Sequence, residues 1–148
     1  TKDASLNVRV MNQQKLAAYM KTKPFGGGLG IIGFFGHKYN EGKYLASIEP
    51  DSYWVKVWAM YGIVGFTFWF CMIMYLFGKG TGIVWSIRDD DLRLKLTAFL
   101  AGNMGIFLCS YGNEVMNDMP SLMIIYLSFA IVFVAPRLEG VVPQNLKA

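Results

Sequence analysis

The chain has 148 residues, of which 54% are hydrophobic and 16% are aromatic, and its formal net charge is +4. Its mean hydropathy of +0.35 exceeds that of ordinary soluble domains, so these totals favour a membrane protein. The charge is spread along the chain, which excludes the basic stripe of a nucleic-acid-binding protein and fits a surface near anionic lipids or phosphates. Because no signal-like segment precedes Thr1, we expect the C-terminal portion of a longer protein.

Residues 5–23 are predicted to form a short amphipathic helix at a membrane interface. Apolar residues recur near helical spacing at Leu6, Val10, Ala17 and Met20. We expect the helix to end before Pro24, because proline cannot continue it.

The segment that follows is dense in glycine. Residues 24–42 contain seven glycines and one proline, and this density predicts a loop without any helix. The glycines either let backbone N–H groups approach an anion or let the loop pack tightly. Gly28, Gly30 and Gly33 also match G-x-G-x-x-G, but the strand and the βαβ unit that a dinucleotide site requires are missing from the pattern.

Three apolar stretches predict transmembrane helices at about residues 54–77, 96–111 and 119–135. The first stretch has Lys56 as its only charge. A charged loop is predicted at 78–95, and Pro136 is expected to close the third helix. The predicted fold class is therefore all-α: a polytopic membrane protein fragment with a glycine-rich loop in residues 1–52, a transmembrane region in 53–136 and a tail in 137–148.

The distribution of basic residues predicts the orientation. The loop at 78–95 holds four Lys or Arg residues, whereas residues 112–118 hold none. Short loops rich in Lys and Arg stay in the cytoplasm. We therefore expect 78–95 and the tail to be cytoplasmic, and residues 1–52 to be periplasmic.

Metal chemistry is poorly represented in the sequence. Asp89, Asp90 and Asp91 form an acidic run, but without a nucleotide-binding domain a solvated turn fits it better than a metal site. His37 is the only histidine, so a histidine metal site or a catalytic triad would have a single imidazole. Cys71 and Cys109 both fall in apolar stretches and predict neither a disulfide nor a ligand pair. No metal and no cofactor is predicted.

Cations and aromatic residues near the first apolar stretch are candidates for substrate contacts. Arg9 offers a planar fork that suits a phosphate. Lys56 either extends to the membrane interface or meets a lipid phosphate. Trp54, Trp58 and Tyr61 share one helical face, which is typical of an aromatic belt or of helix packing and less often of sugar stacking.

Three features follow one another in the chain. Arg9 comes first, then Lys-Pro-Phe-Gly-Gly-Gly-Leu-Gly at 23–30, then Pro-Asp-Ser-Tyr-Trp-Val-Lys-Val-Trp-Ala-Met-Tyr-Gly-Ile-Val-Gly at 50–65. This order resembles the O-antigen ligase and O-antigen polymerase family, in its last periplasmic loop and the spans after it. The resemblance implies a multi-span glycosyltransferase of the bacterial inner membrane. Such an enzyme transfers undecaprenyl-diphosphate-linked glycan to a glycan or lipid acceptor at the periplasmic face, without a metal or a nucleotide sugar.

The resemblance also implies roles for residues. Arg9 stands where the family's loop arginine engages the diphosphate, with Lys23 and Lys56 adding to the positive field, as Lys38 and Lys43 also do. Substrate contacts are expected at Tyr53 and at the glycines Gly26, Gly27 and Gly28.

The general base departs from the family pattern. The turn before the first span often reads His-Asn-Ser-Tyr in the family, and its histidine takes a proton from the acceptor hydroxyl. Pro50 occupies that position here. Asp51 is the candidate base in its place, with Glu49 and His37 as alternatives.

Two functions of other classes remain open. One is a non-enzymatic membrane subunit that docks partner helices. The other is a transporter of lipid-linked glycans, which would need polar residues along its spans. Ligation and polymerisation are both compatible with the residues, and the glycan and the acceptor are not specified by them.

Overall fold

The computed structural model describes residues 4–40, 42–48, 50 and 52–139. Within these ranges the chain forms helices and loops, which confirms the prediction of an all-α fold for the described residues. The α-helices are α1 (Ala4–Met20), α2 (Phe34–Tyr39), α3 (Tyr53–Ser86), α4 (Asp90–Cys109) and α5 (Ser121–Glu139), and short 3₁₀ helices lie at Tyr44–Ser47 and Val115–Asn117.

Two helices, α3 and α4, are long and apolar enough to cross a membrane. The apolar part of α5, Ser121–Arg137, is shorter than these two. The sequence predicted about three spans, and a polytopic arrangement of all three stays a prediction.

The predicted loop at 78–95 is wrong, because most of it is helical. Helix α3 continues to Ser86 and α4 begins at Asp90, so only residues 87–89 connect them. The Asp89 carboxylate accepts hydrogen bonds from the N–H groups of Asp91 and Leu92, at 3.0 and 3.4 Å. The aspartate run is therefore a helix N-cap followed by two acidic residues in the first turn, where the helix dipole favours negative charge.

Pro136 does not close α5 as predicted, since the helix continues through it to Glu139. The proline removes one N–H donor close to the helix end, where few further turns depend on it. The Glu139 carboxylate accepts hydrogen bonds from the N–H groups of Arg88 and Asp89, at 2.7 and 3.1 Å. This contact ties the end of α5 to the connection between α3 and α4.

The glycine-rich segment contains a helix, contrary to the prediction. Helix α2 forms despite Gly36, which is buried. A Cβ atom at Gly36 would lie 2.5 Å from the carbonyl oxygen of Ile31. Close packing of this turn against its neighbours therefore outweighs the low helix propensity of glycine.

Helix α3 is broken at Gly62, whose φ of 70° and ψ of −171° are not helical. We call residues 53–61 the N-terminal arm and residues 63–86 the C-terminal arm. The ring of Trp54 lies 6.3 Å from that of Trp69 and 5.6 Å from that of Phe70. In a straight helix, residues 54 and 69 would be about 22 Å apart along the axis, at about 1.5 Å per residue. The two arms therefore fold towards each other, and the stretch at 54–77 that was predicted to span the membrane contains this break.

The chain divides into two compact units, the first comprising Thr1–Cys71 with Ser110–Glu114 and the second Met72–Cys109 with Val115–Ala148. The first unit has its own apolar core, built from α1, the glycine-rich segment, the first 3₁₀ helix and the N-terminal arm. Its buried members are Leu16, Met20, Ile31, Ile32, Leu45, Ile48 and Ala59. Helix α1 thus buries one side in protein, while its predicted position at a membrane interface stays a prediction.

The second unit packs its helices around aromatic rings. The ring of Phe77 lies 6.0 Å from that of Phe107 and 5.2 Å from that of Phe129. Gly80 faces Leu100 and Val132, so a small residue lets these helices approach closely.

Candidate functional site

Arg9 and Asp51 are the two residues predicted to carry the chemistry. Arg9 lies on α1, and its side chain lies outside the described part. Asp51 and the alternative base Glu49 also lie outside the described residues. Their roles therefore stay predictions.

The central feature is a segment that we call the glycine strap, residues 24–28. The N–H groups of Gly27 and Gly28 donate to the carbonyl oxygens of Ala59 and Met60, at 2.9 and 3.1 Å. In an uninterrupted helix those oxygens would accept from residues four positions further on. The Pro24 carbonyl in turn accepts from the N–H of Val64, at 3.4 Å. The strap thus replaces the backbone hydrogen bonds that the break in α3 removes.

The fit between strap and helix depends on two glycines with positive φ, Gly26 at 83° and Gly62 at 70°. A Cβ atom on Gly26 would lie 2.5 Å from the nitrogen of Gly62. A Cβ atom on Gly62 would collide with the Pro24 carbonyl oxygen and the Gly26 nitrogen. Backbone touches backbone here, so neither side can move aside as a flexible side chain would.

This geometry distinguishes between the two interpretations of the glycines. The Gly26 N–H donates to the Lys23 carbonyl at 3.0 Å, and those of Gly27 and Gly28 donate to the N-terminal arm. All three N–H groups are used within the protein. The strap is therefore a tight packing element, and its N–H groups do not form an open anion site in this conformation.

Lys56 forms an ion pair with Glu114, with 2.7 Å between Nζ and Oε2. The two side chains are 12% and 23% exposed, so water screens the pair only partly. Lys56 lies in the first turn of the N-terminal arm, where its N–H donates to the Ser52 carbonyl at 3.0 Å. Its ammonium group is already neutralised, and a phosphate would compete with Glu114 for it. Sequence reasoning missed Glu114 because it lies 58 residues away.

Lys23 has a different environment, next to aromatic rings. Its Nζ donates to the Tyr19 hydroxyl and lies 4.2 Å from the centroid of that ring. Tyr19 stacks on Tyr44 with 5.1 Å between centroids. The ammonium group has three donors, and it stands half-buried directly before the strap.

Tyr53 is the first residue of α3. Its N–H donates to the Ser110 carbonyl at 3.1 Å and approaches that of Asn113 at 3.4 Å. Its ring lies 5.8 Å from that of Trp69, edge to face. Tyr53 therefore helps to fix the segment 110–114 and belongs to an aromatic cluster that also includes Trp54, Phe66, Phe70 and Tyr111.

The predicted aromatic stripe is divided among three environments. Trp54 lies in this cluster, Trp58 packs against the core of the first unit, and Tyr61 is 44% exposed. The break at Gly62 explains the difference, because helical spacing no longer relates the two arms.

The remaining candidates, His37, Lys38 and Lys43, are all exposed. The Nζ atom of Lys38 lies 5.4 Å from the Tyr39 ring centroid. Among the described residues, no group of three or more His, Cys, Asp or Glu side chains is placed to hold a metal ion.

The described residues form helices and loops, and two of the helices are long and apolar enough to cross a membrane. The first of these two is broken, and the glycine strap binds the backbone groups at the break. Comparisons with family models, with curated proteins and with solved structures each find no match to the chain.

Proposed function

We propose that the chain is part of a membrane glycosyltransferase of the O-antigen ligase or polymerase type, acting on undecaprenyl-diphosphate-linked glycan at the periplasmic face of the inner membrane. The resemblance in sequence motivates this function. One observation in the structure supports it: the strap binds one end of the N-terminal arm, residues 53–61, and Tyr53, the last residue of the Pro-Asp-Ser-Tyr motif, begins the other end. Two motifs that are distant in the chain thereby lie within about 12 Å, at about 1.5 Å per residue.

The reaction has a simple balance. The acceptor hydroxyl oxygen attacks the anomeric carbon, the bond from that carbon to the diphosphate oxygen breaks, and the electron pair leaves with the diphosphate. The hydroxyl proton passes to a base, for which Asp51 is our candidate and Glu49 and His37 are the alternatives.

Cations near the leaving group lower the barrier, because negative charge develops on the diphosphate. Residues 4–40 contain five Lys or Arg residues and no Asp or Glu. Arg9 and Lys23 belong to this set, and in our proposal their positive charges bind the diphosphate leaving group. Lys56 contributes less in this scheme, since Glu114 already balances its charge.

The experiment compares Arg9→Ala with Lys15→Ala, a change on the same helix at an exposed lysine. The readout is transfer of glycan from a lipid-linked donor to an acceptor in membranes that carry each variant at equal level. We expect Arg9→Ala to abolish transfer and Lys15→Ala to retain it. Equal transfer by both variants would remove Arg9 from the mechanism.

The same assay addresses the rival functions. A docking subunit would give no product with any donor, although the protein is folded in the membrane. A transporter would need free polar groups along its helices. Asn103 is buried in the second unit, and its amide donates to the Ile125 carbonyl at 3.5 Å. That polar group serves helix packing, which makes a transporter the weaker alternative.

A further inference from the structure

Two apolar side chains, one in the strap and one directly after it, are strongly exposed. Phe25 is 77% exposed and Leu29 is 73% exposed. On the C-terminal arm, which the Val64 N–H binds to the Pro24 carbonyl, Ile63, Val64 and Phe68 are 54%, 50% and 74% exposed. Several large apolar side chains exposed in neighbouring segments are typical of contact with a partner or a membrane.

Backbone hydrogen bonds fix the depth of Phe25 relative to the C-terminal arm. Backbone groups before and after it are bound to α3 near the break, Pro24 to Val64 and Gly27 to Ala59. Residues 63–78 contain no charged side chain. Phe25 therefore lies at the level where the uncharged part of the arm begins.

The break itself is suited to surroundings without water. In hydrocarbon, a backbone N–H or C=O group that a broken helix leaves without a partner is strongly unfavourable. The carbonyl oxygens of Ala59 and Met60 and the N–H of Val64 all have partners in the strap. Pro24 brings no N–H of its own that would need a partner.

Charge identifies the surface that this loop meets. The five cations and the absence of carboxylates in residues 4–40 complement the negative charge of an anionic lipid surface. Lys21 and Lys23 directly precede the strap, and Lys21 is exposed. Basic residues at the headgroups with aromatic and aliphatic residues below them are the usual arrangement at a bilayer surface.

We propose that residues 24–30 form a membrane-inserted loop, with the side chains of Phe25 and Leu29 in the acyl region of an anionic phospholipid bilayer, beside the start of the C-terminal arm. Lys21 and Lys23 then lie at the level of the lipid phosphates. This insertion does not require the glycosyltransferase activity, so either can fail without the other.

The test measures the depth of labels at single cysteines. Cys71 and Cys109, both exposed, are replaced by serine, and one cysteine is introduced at Phe25 or at Leu29. The labelled protein is reconstituted in vesicles of phosphatidylethanolamine and phosphatidylglycerol. Fluorescence is quenched either by nitroxide on the lipid acyl chains or by iodide in the water. Phe68→Cys is the control on the apolar arm, and Ser47→Cys is the control at an exposed position of the first 3₁₀ helix.

We expect the lipid nitroxide to quench labels at Phe25 and Leu29 as strongly as the label at Phe68, and iodide to quench only the label at Ser47. Quenching by iodide at Phe25 and Leu29 would place the loop in water and overturn the insertion. Protection from both quenchers would also overturn it, because another protein helix or a second copy of the chain would then cover the loop.

Discussion

The close contact between the strap and α3 makes Gly62→Ala the most informative substitution. Glycine to alanine in a helix normally stabilises it by about 0.5–1 kcal/mol. At Gly62 we expect the opposite sign. Its φ of 70° and ψ of −171° lie in a region essentially restricted to glycine, where another residue costs about 1–3 kcal/mol.

The added methyl group has a second effect, because it collides with the backbone of Pro24 and Gly26. The strap must then move, which puts its hydrogen bonds to Ala59, Met60 and Val64 at risk. Each is worth about 0.5–1.5 kcal/mol. We expect a loss of roughly 3–5 kcal/mol, a large share of the about 5–15 kcal/mol that stabilises a typical protein. For a chain of this size, Tm should fall by roughly 10 °C.

The assay is thermal unfolding of the purified protein in detergent, followed by tryptophan fluorescence. Trp54 and Trp69 lie on different arms and contact each other, so their emission reports on the fold of α3. Gly78→Ala is the matched control, since it lies in the same helix and its added Cβ would meet no atom within 4 Å. If Gly62→Ala melts at or above the wild-type temperature, as Gly78→Ala should, the break and the strap are not built as described.

Three further predictions concern the first unit. In a double-mutant cycle, Lys56→Met and Glu114→Gln should show a coupling energy of about 1–3 kcal/mol in chemical unfolding, because the pair is largely buried. Leu45→Ala should lower the free energy of unfolding by about 2–5 kcal/mol, since this side chain is 0% exposed and leaves a cavity. Gly27→Ala should lower Tm less than Gly26→Ala, because its Cβ would meet side-chain atoms of Leu45 and Ile31, whereas that of Gly26 would meet backbone atoms.

Each of these has its own control or contrary outcome. The exposed pair Asp90–Arg93, with 2.7 Å between its charged atoms, should show a coupling below about 0.5 kcal/mol. Equal coupling in both pairs would mean that burial does not strengthen the Lys56 pair. A Leu45→Ala protein as stable as wild type would contradict a packed core around it. An equal fall in Tm for Gly26→Ala and Gly27→Ala would show that collision with backbone atoms does not determine the loss of stability.

The sequence was sufficient for the presence and approximate position of the long helices, because uncharged and mostly apolar residues over 63–77 and 119–135 indicate buried or membrane helices. The sequence pattern did not indicate where these helices begin and end. The charged residues at 79 and 88–95 predict a loop, but helices extend readily into water, and these do. Asp89 before an apolar run is a helix-start signal in its own right, and α4 begins at the next residue.

The break in α3 could not be predicted from local pattern. Gly62 stands in an apolar stretch where a glycine is ordinarily tolerated, and what singles it out is the approach of Gly26 from 36 positions earlier in the chain. The pairing of Lys56 with Glu114 has the same origin, since opposite charges far apart in sequence give no sign that they meet. For the candidate site, the motifs cover only residues close in the chain, while their partners from distant segments required the three-dimensional structure.

The break also bears on how this element matches the thickness of a bilayer. A straight helix over all 34 residues of α3 would be about 51 Å long, far beyond a hydrocarbon layer of about 30 Å. The C-terminal arm alone is about 36 Å long, an excess that ordinary tilt absorbs. Glycine at position 62 thus shortens an oversized helix to a length that a membrane accommodates without distortion.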